Sequence, residues 1–341
     1  MINIAFILKT FNLGSILRTY IVMLILNSND IYKACYLPDI IKAIENAYFL
    51  QTNNKYVMPD RLHLNIQDNI QLVMPSAAEG MFCTKLVTIN QKNASRNLPV
   101  INGSVQLAKQ NDGQLLSLMN GSALTAIRTG AVGAVAVKYL ADENSRTVGL
   151  IGTGIQGLHL LWLISAVRQV DQYYIFNYKT EQTQKFILDL EKKIPGVKVE
   201  VVNDKEELVK LSDVIVTATT SPDPVIPEKP EILRGKLYIC MGSFKPVMGE
   251  LPRTIYSLVK NIFVDVDYAS KESGDVSWPL ENKLLKNEDI IQMSEVIHGE
   301  FEPTHETRIF KSVGMALFDL MVSNTIYKSA LDSKIGIDIC L

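Results

Sequence analysis

The sequence predicts an α/β protein that combines a Rossmann-type, doubly wound dinucleotide-binding domain with a second domain of α+β type. The chain has 341 residues, which is enough for about two domains at roughly 150 residues each. Strands and helices alternate from residue 146 onward, as they do in a parallel sheet that is covered on both faces. A glycine-rich loop stands between the first of these strands and the helix that follows it.

The composition excludes several classes of protein. Hydrophobic residues make up 47% and charged residues 21% of the chain, which is typical of a folded globular protein. The formal net charge is −2 and no Lys/Arg cluster marks a phosphate-binding surface, so we expect no nucleic-acid partner. The four cysteines and four histidines are scattered along the chain. We therefore expect free thiols, no metal site and a reducing, cytoplasmic environment.

Residues 1–22 are interpreted as an extension outside the folded core. The stretch is apolar and lacks acidic residues, but Lys9 and Arg18 interrupt it. It matches neither a transmembrane helix nor a signal peptide cleanly, so we expect no membrane partner. Met23 reads as a natural start, because the apolar strand predicted at residues 24–26 runs directly into an Asn/Ser/Asp helix cap.

Residues 23–145 form the predicted α+β domain. Apolar residues at helical spacing behind Pro38 predict a helix, β-branched runs predict strands, and an Asp-Gly pair predicts a hairpin turn. A later helix is rich in Ala and Val, which suits close packing against another helix or a ligand. In order, these elements are a helix at 39–49, strands at 62–74 and 81–89, the turn at 111–114, a strand at 115–119 and a helix at 125–140.

Residues 146–309 form the predicted dinucleotide-binding domain. Its strands are short and apolar, and charged helices lie between several of them. The predicted strands are 147–151, 173–176, 197–202, 214–218, 237–241 and 262–266, with an apolar helix that ends at Val167 and charged helices at 181–193 and 204–211.

The segment after the strand at 147–151 has the spacing G-x-G-x-x-G. The first glycine allows a tight turn, the second lets the backbone approach a pyrophosphate, and the third lets the helix pack close to the strand. The helix N-terminus then offers free N–H groups to the phosphates. Because an apolar strand and an apolar helix flank the loop, we interpret it as dinucleotide-binding rather than as a structural turn. The predicted contacts are Gly152, Thr153, Gly154, Ile155, Gln156 and Gly157.

The end of the second strand indicates which dinucleotide is bound. An acidic residue there binds the ribose of NAD, whereas a basic residue nearby accommodates the 2′-phosphate of NADP. Asn177, Lys179 and Thr180 stand at this strand end, and the acidic residue is absent. We therefore favour NADP(H), with NAD(H) as the alternative if Lys179 is only a solvated loop lysine.

Three cations of the first domain occur in apolar or small-residue settings. They are Arg61, Lys85 and Arg128. A buried cation is costly without an anionic partner. A substrate carboxylate would pair with Lys85 and Arg128, since Arg offers a planar, bidentate fork. Internal salt bridges or snorkelling side chains are the alternative interpretation for each of them.

The sequence resembles the ornithine cyclodeaminase/mu-crystallin family from about Met23 to the C-terminal region. A Thr-Ala-x-Arg-Thr run together with a Gly-x-Gly-x-Gln-Gly loop is more specific for this family than either motif alone. The matching stretches are Arg61, Met74-Pro75, Lys85, residues 124–129, residues 152–157, and Ser312-Val313-Gly314 with Asp319.

This resemblance implies a homodimer in which residues 23–145 form a substrate and dimerisation domain and residues 310–341 return to it. It also implies that Arg61, Lys85 and Arg128 surround the substrate, with Lys85 and Arg128 close to its carboxylate. Gln156 and residues 312–314, including Val313, are then expected near the cofactor.

One position departs from the family pattern. The cyclodeaminases of the family carry an aspartate in the loop after the fifth strand, and Phe244 stands at that position here when Pro246 and Glu250 are aligned. A phenyl ring cannot accept a proton or hold an ammonium group by charge. Asp265 and Asp267 are interpreted as loop carboxylates rather than as replacements.

We therefore expect an NAD(P)H-dependent reductase of small cyclic imino acids, with Lys85 and Arg128 as catalytic residues. Such a reaction needs a carboxylate clamp, one proton donor and a dry pocket for the hydride. The expected proton donor is Lys85 or a held water. Two alternatives stay open: NAD-dependent ornithine cyclodeamination, and a mu-crystallin-like protein that binds NADPH and a small ligand.

Overall fold

The computed structural model describes residues 22–340 except 68, 97 and 179. The interpretation of residues 1–21 as an extension, and the prediction for Lys179, lie outside the described residues. Val22 does not belong to an extension, because it is the first residue of strand β1 (Val22–Leu26). Asn27 then caps helix α1 (Ser28–Ala34) in a capping box with Asp30, as the sequence predicts.

The first sheet has seven strands and is mostly antiparallel. Besides β1 it contains β2 (Leu62–Ile66), β3 (Asn69–Ala78), β4 (Met81–Asn90), β5 (Ile101–Lys109), β6 (Leu115–Asn120) and β15 (Ile337–Cys340), in the order β15-β1-β6-β5-β4-β3-β2. Only the β1–β6 pairing is parallel among these.

The predicted single strand at 62–74 is wrong, because the chain reverses there and forms the antiparallel pair β2–β3. Gln67 adopts φ 55° in the turn, a left-handed conformation that the strand pattern does not reveal. The predicted Asp-Gly turn between β5 and β6 is confirmed, and Gly113 has φ 73° there.

Two long helices pack against each other beside this sheet. They are α2 (Leu37–Thr52) and α3 (Gly121–Leu140), so α3 begins four residues before the predicted start. By length and composition, α3 is the helix among the described residues that is able to cross a membrane, yet 83% of its most apolar window is buried within the protein. That burial is what the core helix of a folded protein shows.

The second sheet has eight strands, and all its pairings are parallel. Its order is β13-β12-β14-β11-β10-β7-β8-β9, so the order in which successive strands are added reverses between β7 and β10. The strands are β7 (Thr147–Ile151), β8 (Gln172–Phe176), β9 (Val199–Val201), β10 (Val214–Thr217), β11 (Leu237–Cys240), β12 (Ile262–Val264), β13 (Ile290–Gln292) and β14 (Arg308–Lys311). The sequence patterns did not predict β13 and β14.

Helices connect these strands, and a final helix, α11 (Ala316–Asp332), follows β14 and packs against the first sheet. The connecting helices are α4 (Ile155–Ile164), α5 (Thr180–Lys193), α6 (Lys205–Leu211), α7 (Pro230–Leu233), α8 (Ala269–Glu272), α9 (Gly274–Glu281) and α10 (Met293–Ile297). The doubly wound, Rossmann-type arrangement that the sequence predicts is confirmed.

Helices α3 and α4 join the two halves of the molecule. A Cβ at Gly130 would lie 2.5 Å from the carbonyl oxygen of His159, and one at Gly133 would meet Leu160. These glycines therefore allow the two helices to cross closely. After β14 the chain returns through α11 and β15 to the first sheet. The exact domain limits stay a prediction.

Candidate active site

The glycine loop lies at the carboxyl end of β7, where the strand order reverses. Gly152 has φ 106°, and a Cβ there would lie 2.6 Å from the carbonyl oxygen of Ala218. A Cβ at Gly157 would lie 2.3 Å from the carbonyl oxygen of Gly152, whereas one at Gly154 would meet nothing within 4 Å. The first and third glycines are therefore required by close packing, and the second leaves its backbone open to a ligand.

Two buried polar atoms of this loop fit a bound dinucleotide. Thr153 Oγ1 and Gln156 Oε1 are buried without a hydrogen-bond partner among the described residues. An unpaired buried polar atom is costly, and a cofactor at the N-terminus of α4 would offer partners. Ile155 is the first residue of α4 and is largely exposed beside the loop.

The first positions after strand β8 carry no carboxylate. Asn177 and Tyr178 follow the strand, and Thr180 opens α5. The Lys205 ammonium donates to the hydroxyl of Tyr178 at 2.9 Å and lies 5.5 Å from its ring centroid. A lysine that the sequence analysis did not identify therefore stands beside this strand end.

A buried glutamate shapes the crevice between β10 and β11. Glu250 is fully buried and accepts from Thr217 Oγ1 at 2.8 Å, from Thr219 N and Oγ1 at 2.9 and 2.8 Å, and from Gly242 N at 2.7 Å. It holds together the loops that follow both strands. Phe244 lies on the second of these loops and is 43% exposed. Its correspondence to the aspartate of the cyclodeaminases stays a prediction.

The turn that contains Val313 joins the crevice to the substrate side. The buried Asp265 accepts from Ser312 Oγ at 2.6 Å, from Val313 N at 3.3 Å and from Gly314 N at 2.6 Å. Its carboxylate is therefore used by the turn itself, in agreement with the interpretation of Asp265 as a structural carboxylate. Gly314 has φ 77°, and a Cβ there would lie 2.7 Å from Arg128 Nη1.

The structure brings Arg61, Lys85 and Arg128 together around one small pocket. The register places Lys85 between Met74 of β3 and Val105 of β5, on the inner face of the first sheet. The pocket has a volume of about 120 Å³. Its lining is Arg61, Leu72, Met74, Lys85, Val87, Ile101, Gly103, Gly121, Ser122, Thr125 and Arg128.

Internal carboxylates also pair with these cations. Lys85 Nζ donates to Asp319 Oδ2 at 2.6 Å, and Arg128 Nε donates to Asp319 Oδ1 at 3.2 Å. Arg61 donates to the carbonyl oxygen of Gly314 at 2.7 Å and lies 3.3 Å from Glu272. The cations therefore do form internal salt bridges, which was the alternative interpretation. They still line the pocket as well.

Burial changes the acidity of Lys85. Its side chain is fully buried, and this burial together with the charge of Arg128 lowers its pKa to about 8, although Asp319 acts in the opposite direction. An ammonium group with such a pKa is protonated at neutral pH and still able to release its proton. These are the properties of a general acid for the neutral pH range.

Sequence reasoning did not assign Asp319, Glu272 or Glu250 to the site. Asp319 appeared only among the stretches that carry the family resemblance. A signal was present, because Asp319 is a lone acidic residue in the otherwise apolar first turns of α11. A buried acid in such a helix indicates a buried cationic partner.

The fold and the site define a class of protein. A doubly wound parallel sheet with a dinucleotide loop at its reversal point, beside a pocket lined by three cations, is typical of oxidoreductases that act on small carboxylates. The chain belongs to the ornithine cyclodeaminase/mu-crystallin family, whose sequence model matches residues 22–334.

Relatives of known activity match nearly the whole chain. A Δ1-pyrroline-2-carboxylate reductase of Bacillus cereus is 33% identical, over 92% of this chain and 98% of its own length. The structure of the Thermococcus litoralis Δ1-pyrroline-2-carboxylate reductase, in complex with NADH and L-proline, has a TM-score of 0.87 at 28% identity and covers 93% of this chain and 100% of that one. An archaeal alanine dehydrogenase dimer with bound NAD has a TM-score of 0.85 at 28% identity, with coverages of 93% and 99%.

Proposed function

We propose that the protein is an NAD(P)H-dependent reductase of small cyclic imino acids of the Δ1-pyrroline-2-carboxylate type. Hydride adds to the C=N carbon that bears the carboxylate, and a proton adds to the nitrogen. The observation that carries the proposal is the pair Lys85 and Arg128, which lines a small pocket beside the Gly314 turn of the cofactor crevice. The two Δ1-pyrroline-2-carboxylate reductases support it.

The cations form the clamp for the substrate carboxylate. The Nε of Arg128 is used by Asp319, so its Nη atoms are left to bind a carboxylate. Lys85 lines the same pocket, and Arg61 is held at its edge by the carbonyl oxygen of Gly314. One carboxylate can therefore contact Arg128 and Lys85 together.

Lys85 is the proton donor of the proposed reaction. A bound nicotinamide dinucleotide supplies the hydride, and the residues that would hold it are 152–157, Asn177 and Val313. Lys85 gives its proton to the imine nitrogen, and its lowered pKa makes this transfer feasible near neutral pH. The side chains of Leu72, Met74 and Val87 line the pocket and exclude water from the ring.

NADP(H) is the favoured cofactor in this proposal, with NAD(H) as the alternative. The end of β8 offers no carboxylate to repel a 2′-phosphate, and Lys205 lies beside Tyr178 there. Lys179 is the residue after Tyr178 in the sequence and is a second basic residue in favour of this cofactor. The two structural relatives were solved with NADH and NAD, which is why both cofactors belong in the assay.

A homodimer is the proposed assembly. The outer face of the first sheet exposes large apolar side chains, namely Leu62, Leu64, Ile66, Phe82 and Leu86. An apolar sheet face of this kind is typical of a protein–protein interface. Light scattering coupled to size-exclusion chromatography should give twice the mass of the chain, and Leu64→Lys should reduce it to that of a monomer.

Enzyme assays test the proposed function. NADPH and NADH oxidation is followed with Δ1-pyrroline-2-carboxylate, its six-membered homologue, and pyruvate plus ammonia, while ornithine with NAD⁺ is assayed for ammonia. We expect turnover of a cyclic imino acid and no ammonia from ornithine, because Phe244 cannot act as the missing carboxylate. Robust proline formation from ornithine would make cyclodeamination the function. Tight NADPH binding without turnover of any substrate would indicate a ligand-binding protein.

A further inference from the structure

We propose that Asp319 is a positioning residue of the reductase: its carboxylate sets the orientation of Lys85 and Arg128 toward the substrate and keeps Lys85 in its proton-donating form. This inference rests on the proposed function. It assigns Asp319 no contact with the substrate, because Asp319 lies behind the two cations and does not line the pocket.

Each oxygen of Asp319 serves a different cation. Oδ2 accepts from Lys85 Nζ at 2.6 Å, and Oδ1 accepts from Arg128 Nε at 3.2 Å. Arg has one Nε–H and four Nη–H groups, so this bond leaves the end of the guanidinium for a ligand. Lys85 has three N–H donors and keeps two for the pocket. By accepting one hydrogen bond from each cation, Asp319 fixes which of their remaining N–H donors face the substrate.

The second side of Arg128 is bounded by the Gly314 turn. The absent Cβ of Gly314 would lie 2.7 and 3.2 Å from the two Nη atoms, so the guanidinium lies directly against this backbone. Helix α11 begins two residues later, and Ser76 Oγ of β3 donates to the carbonyl oxygen of Ala316 at 3.0 Å. The element that carries Asp319 is therefore anchored to both the cofactor turn and the first sheet.

The charges that act on Lys85 are those of two cations and one carboxylate. Arg128 and Arg61 oppose its protonation, and Asp319 favours it. Cys83 on the same strand is neutral at physiological pH, because burial raises the pKa of its thiol to about 12. Asp319 is fully buried, where charges act strongly on each other. Its loss would leave Lys85 among cations alone.

The test compares Asp319→Asn with Asp319→Glu over a range of pH. In the wild type, kcat/KM for imino acid reduction, which reports the free enzyme, should fall as the pH rises through about 8, the pKa of Lys85. In Asp319→Asn, this fall should move to lower pH by about one unit or more, and kcat should drop about tenfold with KM within about threefold. Asp319→Glu should restore the fall near pH 8. A merely structural residue would lower the amount of folded enzyme without moving the pH profile.

Glu272→Gln is the matched control, because Glu272 pairs with Arg61 and makes no bond to Lys85. Its pH profile should keep the wild-type midpoint. An unshifted midpoint in Asp319→Asn, or an equal shift in Glu272→Gln, would overturn the proposal.

A binding measurement separates this inference from the proposed function. Calorimetry with pyrrole-2-carboxylate as a planar probe needs no turnover. Its affinity should weaken above about pH 8 in the wild type, where Lys85 loses its charge, and at lower pH in Asp319→Asn. If no imino acid is reduced but this shift is found, the proposed function fails and the role of Asp319 stands. If imino acids are reduced and the shift is absent, only the inference fails.

Discussion

The two ends of the site are built in different ways. At the cofactor end, residues 152–157 are contiguous, and two of the glycines accept no side chain because the backbone packs closely around them. At the substrate end, charged side chains from separate elements meet in the interior, and Lys85 and Asp319 are 234 positions apart. The cofactor end should therefore tolerate changes of side-chain charge, whereas the substrate end should respond strongly to any change that unbalances its buried ions.

Removal of Lys85 is expected to have the largest effect. Lys85→Met takes away the proposed proton donor and one arm of the clamp, while Asp319 stays paired with Arg128. The kcat for imino acid reduction should fall by about 10³-fold, within the usual range for loss of a general acid. Dinucleotide affinity, measured by fluorescence titration, should stay at the wild-type value. Retention of more than a tenth of wild-type kcat would assign the proton to a held water instead.

A methyl group at Gly314, on the turn beside the cofactor crevice, should displace a substrate-binding side chain. Gly314→Ala places a Cβ within 2.7 Å of Arg128 Nη1, so kcat/KM should fall by about 10²-fold as the guanidinium is displaced.

Gly299→Ala is the matched control for this substitution. Gly299 has φ 73°, close to the 77° of Gly314, but its Cβ would meet nothing within 4 Å. Both variants should lose about 1 kcal/mol of unfolding free energy through backbone strain, measured by urea denaturation. Equal kinetic losses in the two variants would show that strain, and not contact with Arg128, is responsible.

Loss of the bidentate guanidinium of Arg128 should lower kcat/KM by a smaller factor. Arg128→Lys keeps the charge but cannot hold Asp319 and a substrate carboxylate at the same time with fixed geometry. The kcat/KM should fall by about tenfold or more with little change in melting temperature. A large loss of stability with unchanged kinetics would instead make Arg128 a structural ion-pair residue.

The pH dependence should have opposite signs in the two directions of the reaction. Reduction needs protonated Lys85, whose pKa burial lowers to about 8, so its kcat/KM should fall tenfold per pH unit well above that value. Proline oxidation needs neutral Lys85 as a base, so its kcat/KM should rise through the same pH. Stopped assays in both directions between pH 6 and 10 check this. Two profiles with the same sign would argue against Lys85 as the group that exchanges the proton.

The smallest change is expected at the cofactor end. Asn177→Asp adds a carboxylate at the end of β8, which should repel a 2′-phosphate and bind the ribose hydroxyls of NADH. The ratio of kcat/KM for NADPH over NADH should fall by about tenfold, while KM for the imino acid stays the same. A wild type that already prefers NADH strongly would refute the cofactor preference.

The sequence predicts the local parts of this molecule better than the distant ones. The dinucleotide loop is a contiguous motif between an apolar strand and helix, so both its position and the reasons for its glycines follow from the residues alone. The three pocket cations are also recognisable, because charges in apolar segments require partners. The shared partner of Lys85 and Arg128 is not recognisable, since nothing within one sequence reports that Asp319 pairs with residues 234 and 191 positions away.

Strand β14 shows a second limit of sequence patterns. Its four residues include Arg308 and Lys311, yet all four are buried in the middle of the parallel sheet. A strand in such a place is usually an uninterrupted apolar run, so the pattern predicts none there. The charge of Arg308 is balanced by Asp142, whose carboxylate lies 2.8 Å away, a contact that only the folded chain supplies.

The assignments of Phe244 and of the domain limits stay predictions.

Strand β14 comes late in the sequence, so the parallel sheet stays incomplete during most of synthesis. Strands β11 and β12 both pair with β14 and not with each other, so the parallel sheet stays in two pieces until residues 308–311 are in place. During synthesis, the nascent chain would therefore present two unpaired strand edges to the cell, and such edges favour aggregation. The same segment leads directly into Gly314 and Asp319. A chain that stops before this segment lacks not only part of its pocket but also the strand that closes its largest sheet.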